Sequence, residues 1–239
     1  MNDGSFFHHL VAVIDLRHGQ AVHAVAGKRD QYQPVTLRDG DAGDAVELAA
    51  WYRLRGIGSI YIADLDAIID DAPQVDLVRR LANYFPKSTT DAGRHAIAAN
   101  DAIRDVPGAR VIISTECFAN PDEWVACRHE IATPNIVLGL DLIGEQVRCS
   151  DATRNHPIAT WIEAAGSTGV TDVVALDLSF VGTRTGPKTA GICRLLKSRW
   201  PGFRLTSGGG VGSTDDVRVL VDAGCDHVLV ATALLDGTL

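Results

Sequence analysis

The sequence predicts an α/β fold of the (βα)₈ or TIM-barrel class, in which eight parallel strands alternate with helices around a closed sheet. Three observations carry that expectation. Eight short, β-rich apolar runs alternate with longer stretches of helical periodicity. The 239 residues match the length one such domain needs, so residues 1–239 are expected to form a single barrel. The two halves of the chain also resemble each other.

The expected strands are Leu10 to Asp15, Ser59 to Asp64, Lys87 to Asp91, Arg110 to Ser114, Asn135 to Asp141, Asp172 to Asp177, Phe203 to Ser207 and His227 to Ala231. Most are apolar without alternation, as strands covered on both faces are. The intervening stretches GDAVELAAWYRLRG, PQVDLVRRLANYF, PDEWVACRHE, PIATWIEAAGSTG, TAGICRLLKSRW and TDDVRVLVDAG set apolar residues near i, i+3 and i+4, and several stop at glycine. Alternation alone does not separate a closed barrel from an open doubly wound sheet. Internal similarity favours the barrel. Laying RVIISTEC, from Arg110, on HVLVATAL, from His227, also sets Asp91-Ala92-Gly93 on Gly208-Gly209-Gly210, and DLRHGQAV from Asp15 resembles DLIGEQV from Asp141 with one residue deleted. Two half-barrel repeats are the expected plan. So few residues follow Ala231 that two endings stay open: the last helix is missing, or ALLDGTL makes one short turn and the N-terminal MNDGSFFHH covers the gap.

Composition narrows the partners. With 46% hydrophobic and 22% charged residues and a net charge of −8, the chain reads as an ordinary globular domain. No stripe of Lys or Arg offers a surface for nucleic acid or an anionic membrane. No apolar run reaches the ~18 residues of a membrane span, and the start lacks the layout of a signal peptide, so the cytoplasm is expected. Five cysteines, an odd number without a CxxC pair, argue against a disulfide framework and a zinc site.

In such barrels chemistry sits at the C-terminal strand ends. Asp15, Asp64, Asp91, Asp141 and Asp177 all close apolar strands, where an aspartate either faces the site or caps the next helix. Asp15 and Asp141 stand at equivalent places on strands one and five and would face each other across the mouth. Two carboxylates with unlike surroundings divide into a general acid and a general base. In LTSGGGVGSTDDV, Ser207 is followed by Gly208, Gly209 and Gly210. Bare glycine amides and a helix N-terminus suit an anion, and Ala231 and Thr232 open a short helix beside them. The adjoining loop GTRTGP adds Gly186 to this phosphate group and Thr183 as a possible substrate contact. Lys28 and Arg29, after strand one, are either anion contacts or a solvated loop. Asp64, Asp91 and Asp177 are further possible substrate contacts. The histidines His8, His9, His18, His23, His95 and His227 receive no role.

VIDLRHGQAV, ADLDAI, LDL at Leu140 and SGGGV resemble, in order and spacing, the phosphoribosylformimino-AICAR ribotide isomerase of the histidine-biosynthesis barrel family, and LRDGDAGDAVELA is similar to its sister, the cyclase of imidazole glycerol phosphate synthase. The resemblance implies a two-fold barrel without metal or cofactor, with Asp15 and Asp141 as the catalytic pair and phosphate contacts on Gly208 to Gly210 and the Ala231-Thr232 turn. The departures are as telling. The isomerase's second glycine triplet is Asp91-Ala92-Gly93 here, its strand-six Thr matches Leu176, its next-loop Asp matches Val181, and Glu116 adds an acid after strand four. A branch carrying GKRDxYxP after strand one is similar, and occurs beside methanopterin-linked one-carbon metabolism. The expectation is therefore a divergent paralogue performing acid/base, Amadori-type chemistry on a small molecule with one phosphate. Its alternatives are the histidine-pathway isomerase itself, a cyclase or lyase sharing the site, and a phosphate-binding protein without turnover. Asp91 is expected at the mouth opposite the glycines, bonded to Arg94 or to substrate, or else turned away to cap a helix near His95.

Overall fold

Each of the eight apolar runs is a strand, and together they close on themselves. The computed structural model describes residues 7–37, 41–133 and 135–239. The barrel strands are β1 (Leu10–Arg17), β2 (Ile60–Asp64), β3 (Ser88–Asp91), β4 (Arg110–Ser114), β5 (Ile136–Ile143), β6 (Asp172–Asp177), β7 (Arg204–Gly208) and β8 (His227–Val230). Each pairs in parallel with the next, and Leu10, Val11 and Ala12 of β1 pair with Val228, Leu229 and Val230 of β8, which shuts the ring. The fold is a (βα)₈ barrel.

Alternation along the strands builds two apolar layers. Val11, Tyr61, Ala63, Ile112, Val137, Val174 and Leu229 pack inside the barrel. Ala12, Ile14, Ile60, Ile62, Val111, Ile113, Leu138 and Leu140 pack outward with the helices. Burial on both faces explains why the strands read as unbroken apolar runs. β3 departs from this pattern: its sequence is STTD, and the hydroxyls of Ser88 and Thr90 are buried without a hydrogen-bond partner.

The anticipated helices form at Ala45–Leu54, Val75–Tyr84, Pro121–Glu130, Ile158–Ser167, Ala190–Arg199 and Thr214–Asp222. Side-chain caps start several of them, Asn120 accepting from Glu123 N and Ser213 from Asp216 N. The helix near His95 runs over Ala96–Ile103, and Leu65–Asp70 adds one the periodicity did not suggest. After β8 the chain makes one short turn, Thr232–Leu235. Phe7–His9 forms a turn of 3₁₀ helix beside the start of β8, where His9 Nδ1 lies 2.9 Å from the Asp226 carbonyl. The rest of MNDGSFFHH and residues 38–40 of LRDGDAGDAVELA lie outside the described residues. β1 and β5 are the longest strands, eight residues each, and each turns back into a short antiparallel strand, Gln20–His23 and Gln146–Val147. All five cysteines are free. No helix among the described residues is long and apolar enough to cross a membrane.

Candidate active site

The C-terminal strand ends surround a cleft of about 1160 Å³, counting the space open to solvent. Asp15, Asp91, Asp141, Arg29, Gly209, Gly210, Ala231 and Thr232 all line it. The residues expected on opposite sides of the mouth therefore share one cavity.

Asp15 and Asp141 meet it in unlike surroundings. No group among the described residues donates a hydrogen bond to the Asp15 carboxyl. Burial pushes its pKa up to about 7, against the opposing pull of the Arg29 guanidinium. Tyr32 stands close by, its phenol pushed up to about 12 by burial and by the charge of Asp15. Asp141 is more enclosed, with its backbone N–H donated to Thr115 Oγ1 at 3.1 Å and Oδ2 accepting from Glu116 N at 3.4 Å. Burial, then the negative charges of Glu116 and Asp91, hold its carboxyl well above the usual range.

Asp91 does two things at once. It faces the cavity, and its oxygens are already engaged: Oδ2 accepts from Tyr61 Oη at 3.1 Å and Ser114 Oγ at 2.6 Å, and Oδ1 from Gly93 N at 3.0 Å. The expected bond to Arg94 does not form. Arg94 lies over Asp71 instead, at 3.8 Å, because the turn Gly93–His95 carries it to the surface. Gly139 makes the Ser114 contact possible, since a Cβ there would stand 2.5 Å from Ser114 Oγ. Glu116 closes this side, its Oε1 2.9 Å from Arg29 Nη2 and its Oε2 3.4 Å from Arg148 Nε.

At the other end Gly209 and Gly210 turn with φ of +85° and +82°. Gly210 tolerates nothing larger, because a Cβ would stand 2.6 Å from the Gly186 carbonyl oxygen. Among the described residues no acceptor receives the N–H groups of Gly209, Gly210, Val211, Thr232 or Ala233, whereas those of Leu234 and Leu235 donate to the Ala231 carbonyl.

Other expected residues stand back from the cleft. Ser207 is fully buried behind it, donating to the Ala175 carbonyl at 2.7 Å and paired with Thr189 Oγ1. Gly208 lets β7 and β8 approach, as a Cβ would meet Leu229 Cβ at 2.6 Å. Gly186 supports the glycine turn by donating to the Gly210 carbonyl at 2.9 Å, and Thr183 bonds within its own loop to the Phe180 carbonyl. Lys28 is exposed. Asp64 and Asp177 are buried caps, Asp64 accepting from Ala67 N and Gln74 and Asp177 from Ser179 N. For these two aspartates the strand-end position reflects capping geometry. Leu176 and Val181 do line the cleft.

Sequence reasoning overlooked His23, Tyr61, Ser114 and Arg148. Two had a signal. Extending the DLRHGQAV and DLIGEQV match by one residue sets His23 against Arg148, and both line the cavity, His23 closing its return strand and Arg148 directly following its own.

A family model described as "Histidine biosynthesis protein" matches residues 9–239. The chain belongs to that family. Among curated members, a 1-(5-phosphoribosyl)-5-((5-phosphoribosylamino)methylideneamino)imidazole-4-carboxamide isomerase of Aliivibrio fischeri is 28% identical, covering 95% of this chain and 94% of its own. The isomerase of that name from Thermus thermophilus is 25% identical over the same shares. An uncharacterized protein of Methanocaldococcus jannaschii is also 28% identical, over 96% of this chain and 94% of its own. The histidine-biosynthesis family thus contains relatives with a stated activity and relatives without one at the same distance from this chain.

Proposed function

We propose that the cleft is the active site of an isomerase-type enzyme performing Amadori-type aldose-to-ketose chemistry on a small phosphorylated molecule. The observation that carries this reading is the unequal pair Asp15 and Asp141. A carboxyl with a pKa near 7 suits a general base at neutral pH, and one held protonated by burial and two neighbouring negative charges suits a general acid. Asp141 would give its proton to the ring oxygen of the substrate as the ring opens. Asp15 would take a proton from the carbon beside the resulting imine. The scheme uses no cofactor.

The phosphate would lie on the free amides of Gly209, Gly210 and the Ala231-Thr232 turn, where backbone donors and the start of a helix favour negative charge. The matching return strands after β1 and β5 support a barrel of two half-barrel repeats with Asp15 and Asp141 as counterparts. The lack of a basic stripe favours small-molecule partners over nucleic acid or an anionic membrane. A second reading takes the relatives' own substrate, which by name carries two phosphoribosyl groups. The identities favour it, and Asp91, Glu116, Leu176 and Val181 oppose it.

The test is turnover on a panel of phosphorylated N-glycosylamines, whose opened rings carry the imine, by the wild type, Asp15→Asn and Asp141→Asn. Each variant should lose roughly 10²-fold or more while still binding ligand. The wild-type kcat/KM should rise with pH through about 7 as Asp15 ionises. Normal turnover by both variants would remove the pair from the mechanism, and growth of an isomerase-deficient strain supplied with this chain would establish the second reading.

A further inference from the structure

Arg29 and Arg148 reach the cleft from different sides. Arg29 sits in the loop after β1, and Arg148 directly follows the return strand of β5. Both guanidiniums end on the carboxylate of Glu116, at 2.9 and 3.4 Å, and all three residues line the cavity. Two guanidiniums converging on one cavity wall form the arrangement that binds a carboxylate or phosphate. Here the chain supplies that anion itself. We infer that Glu116 occupies a latent second anion site, and that it is the residue restricting the cleft to substrates with a single phosphate. The inference rests on the phosphate reading given above and specifies which substrates it admits.

Glu116 is held where it is. It belongs to the turn Thr115–Cys117, which β5 fixes through Asp141 N donating to Thr115 Oγ1 and Glu116 N reaching Asp141 Oδ2. Its side chain is only 9% exposed, so little of the carboxylate is free to swing into water. An anionic group arriving at the arginine pair would have to evict this carboxylate while facing Asp91 on the same wall of the cleft. Like charges at such range repel strongly away from bulk water. The end of the substrate opposite its phosphate is therefore neutral or positively charged. Removing the Glu116 carboxylate leaves both arginines facing the cavity with no acid between them.

Crystals of the wild type, Glu116→Ala, Glu116→Gln and the double variant Arg29→Ala/Glu116→Ala are soaked in inorganic phosphate, and phosphate binding is titrated in solution. The wild type should hold one anion, at Gly209 and Gly210. Glu116→Ala should hold a second between Arg29 and Arg148, with an affinity at least about tenfold above any second binding event in the wild type. Adding Arg29→Ala should abolish the second anion and keep the first. Glu116→Gln, which keeps the shape and removes the charge, covers the case in which the alanine variant does not fold. Two anions on the wild type overturn the inference. So does a single anion on both Glu116 variants, or a second anion that survives loss of Arg29. Absence of the anion at Gly209 and Gly210 in every variant would instead count against the phosphate reading, while the Arg29–Arg148 result still decides the role of Glu116.

Discussion

The two ends of the cleft are made of different material. At the β7–β8 end the cleft surface is backbone: two glycines in left-handed conformation and the opening turn of Thr232–Leu235. At the β3–β4 end it is side chain: Asp91 held by Tyr61 and Ser114, and Glu116 held by two arginines. Amides offer an anion fixed neutral donors whose positions follow from the local chain. Carboxyls in a closed space need partners brought from distant strands, and each raises the proton affinity of the next. One end is thus suited to receive charge. The other already contains it.

The largest effect should come from placing a charge in the backbone end. Gly209→Asp is a poor probe, because φ is +85° and a Cβ would lie 3.0 Å from the Asp177 carbonyl, so strain would mix with electrostatics. Ala231→Asp avoids that problem, since Ala231 lines the same cleft with a negative φ. A carboxylate about 4 Å from a phosphate costs roughly 4 kcal/mol per charge pair at an effective dielectric of about 20. Titration of inorganic phosphate or a sugar phosphate should therefore show a loss of about 10²-fold or more, with an almost unchanged melting temperature. Equal affinity would mean that the anion binds elsewhere and the two ends do not differ as argued.

A smaller effect tests the side-chain end. Gly139→Ala would set a Cβ 2.5 Å from Ser114 Oγ and 2.7 Å from Ile112 Cγ2, inside a packed barrel. Overpacking of this kind costs about 1–3 kcal/mol, which lowers the melting temperature of a chain this size by roughly 2–4 °C per kcal/mol. Adding Ser114→Gly should recover part of the loss by removing the closest clashing atom. If the single variant melts like the wild type, Ser114 is not wedged against Asp91 by the packing of β4 on β5.

The contrast between the ends also marks what the sequence could reveal. Seven strands were legible because burial on both faces leaves an apolar run, whereas STTD of β3 is polar and stood among the expected strands without that signal. The glycine turn was legible because a left-handed backbone in close contact requires glycine locally. Asp64 and Asp177 looked like Asp15 and Asp141, because an aspartate at a strand end reads the same whether its carboxylate turns to the next helix or to the cavity; only the likeness of DLRHGQAV to DLIGEQV separated them. Tyr61 and Ser114 carried no signal at all. Their partner is Asp91 on the strand between theirs, and nothing local in SIYIAD or RVIIS indicates that two side chains lean in from either side to meet it.

The smallest expected effect concerns Asp15 and pH, and it separates the open carboxyl of the pair from the enclosed ones. In the unfolded chain Asp15 ionises near its ordinary 3.8, and in the folded protein near 7. Between these values the folded state retains a proton that the unfolded state has released, so stability falls as pH rises across that window and is flat above it. Asparagine stays neutral throughout and does not carry this penalty. Moving a carboxyl from 3.8 to about 7 corresponds to at most about 4 kcal/mol, and the half-buried position of Asp15 on the cleft wall reduces this to about 1–2 kcal/mol. Asp15→Asn should therefore match the wild type below about pH 4, gain on it between pH 4 and 7, and keep a constant advantage of a few degrees in melting temperature at pH 8. A constant difference from pH 4 to 8 would mean that Asp15 titrates as an ordinary exposed carboxylate, which would leave the cleft without a base poised near neutrality.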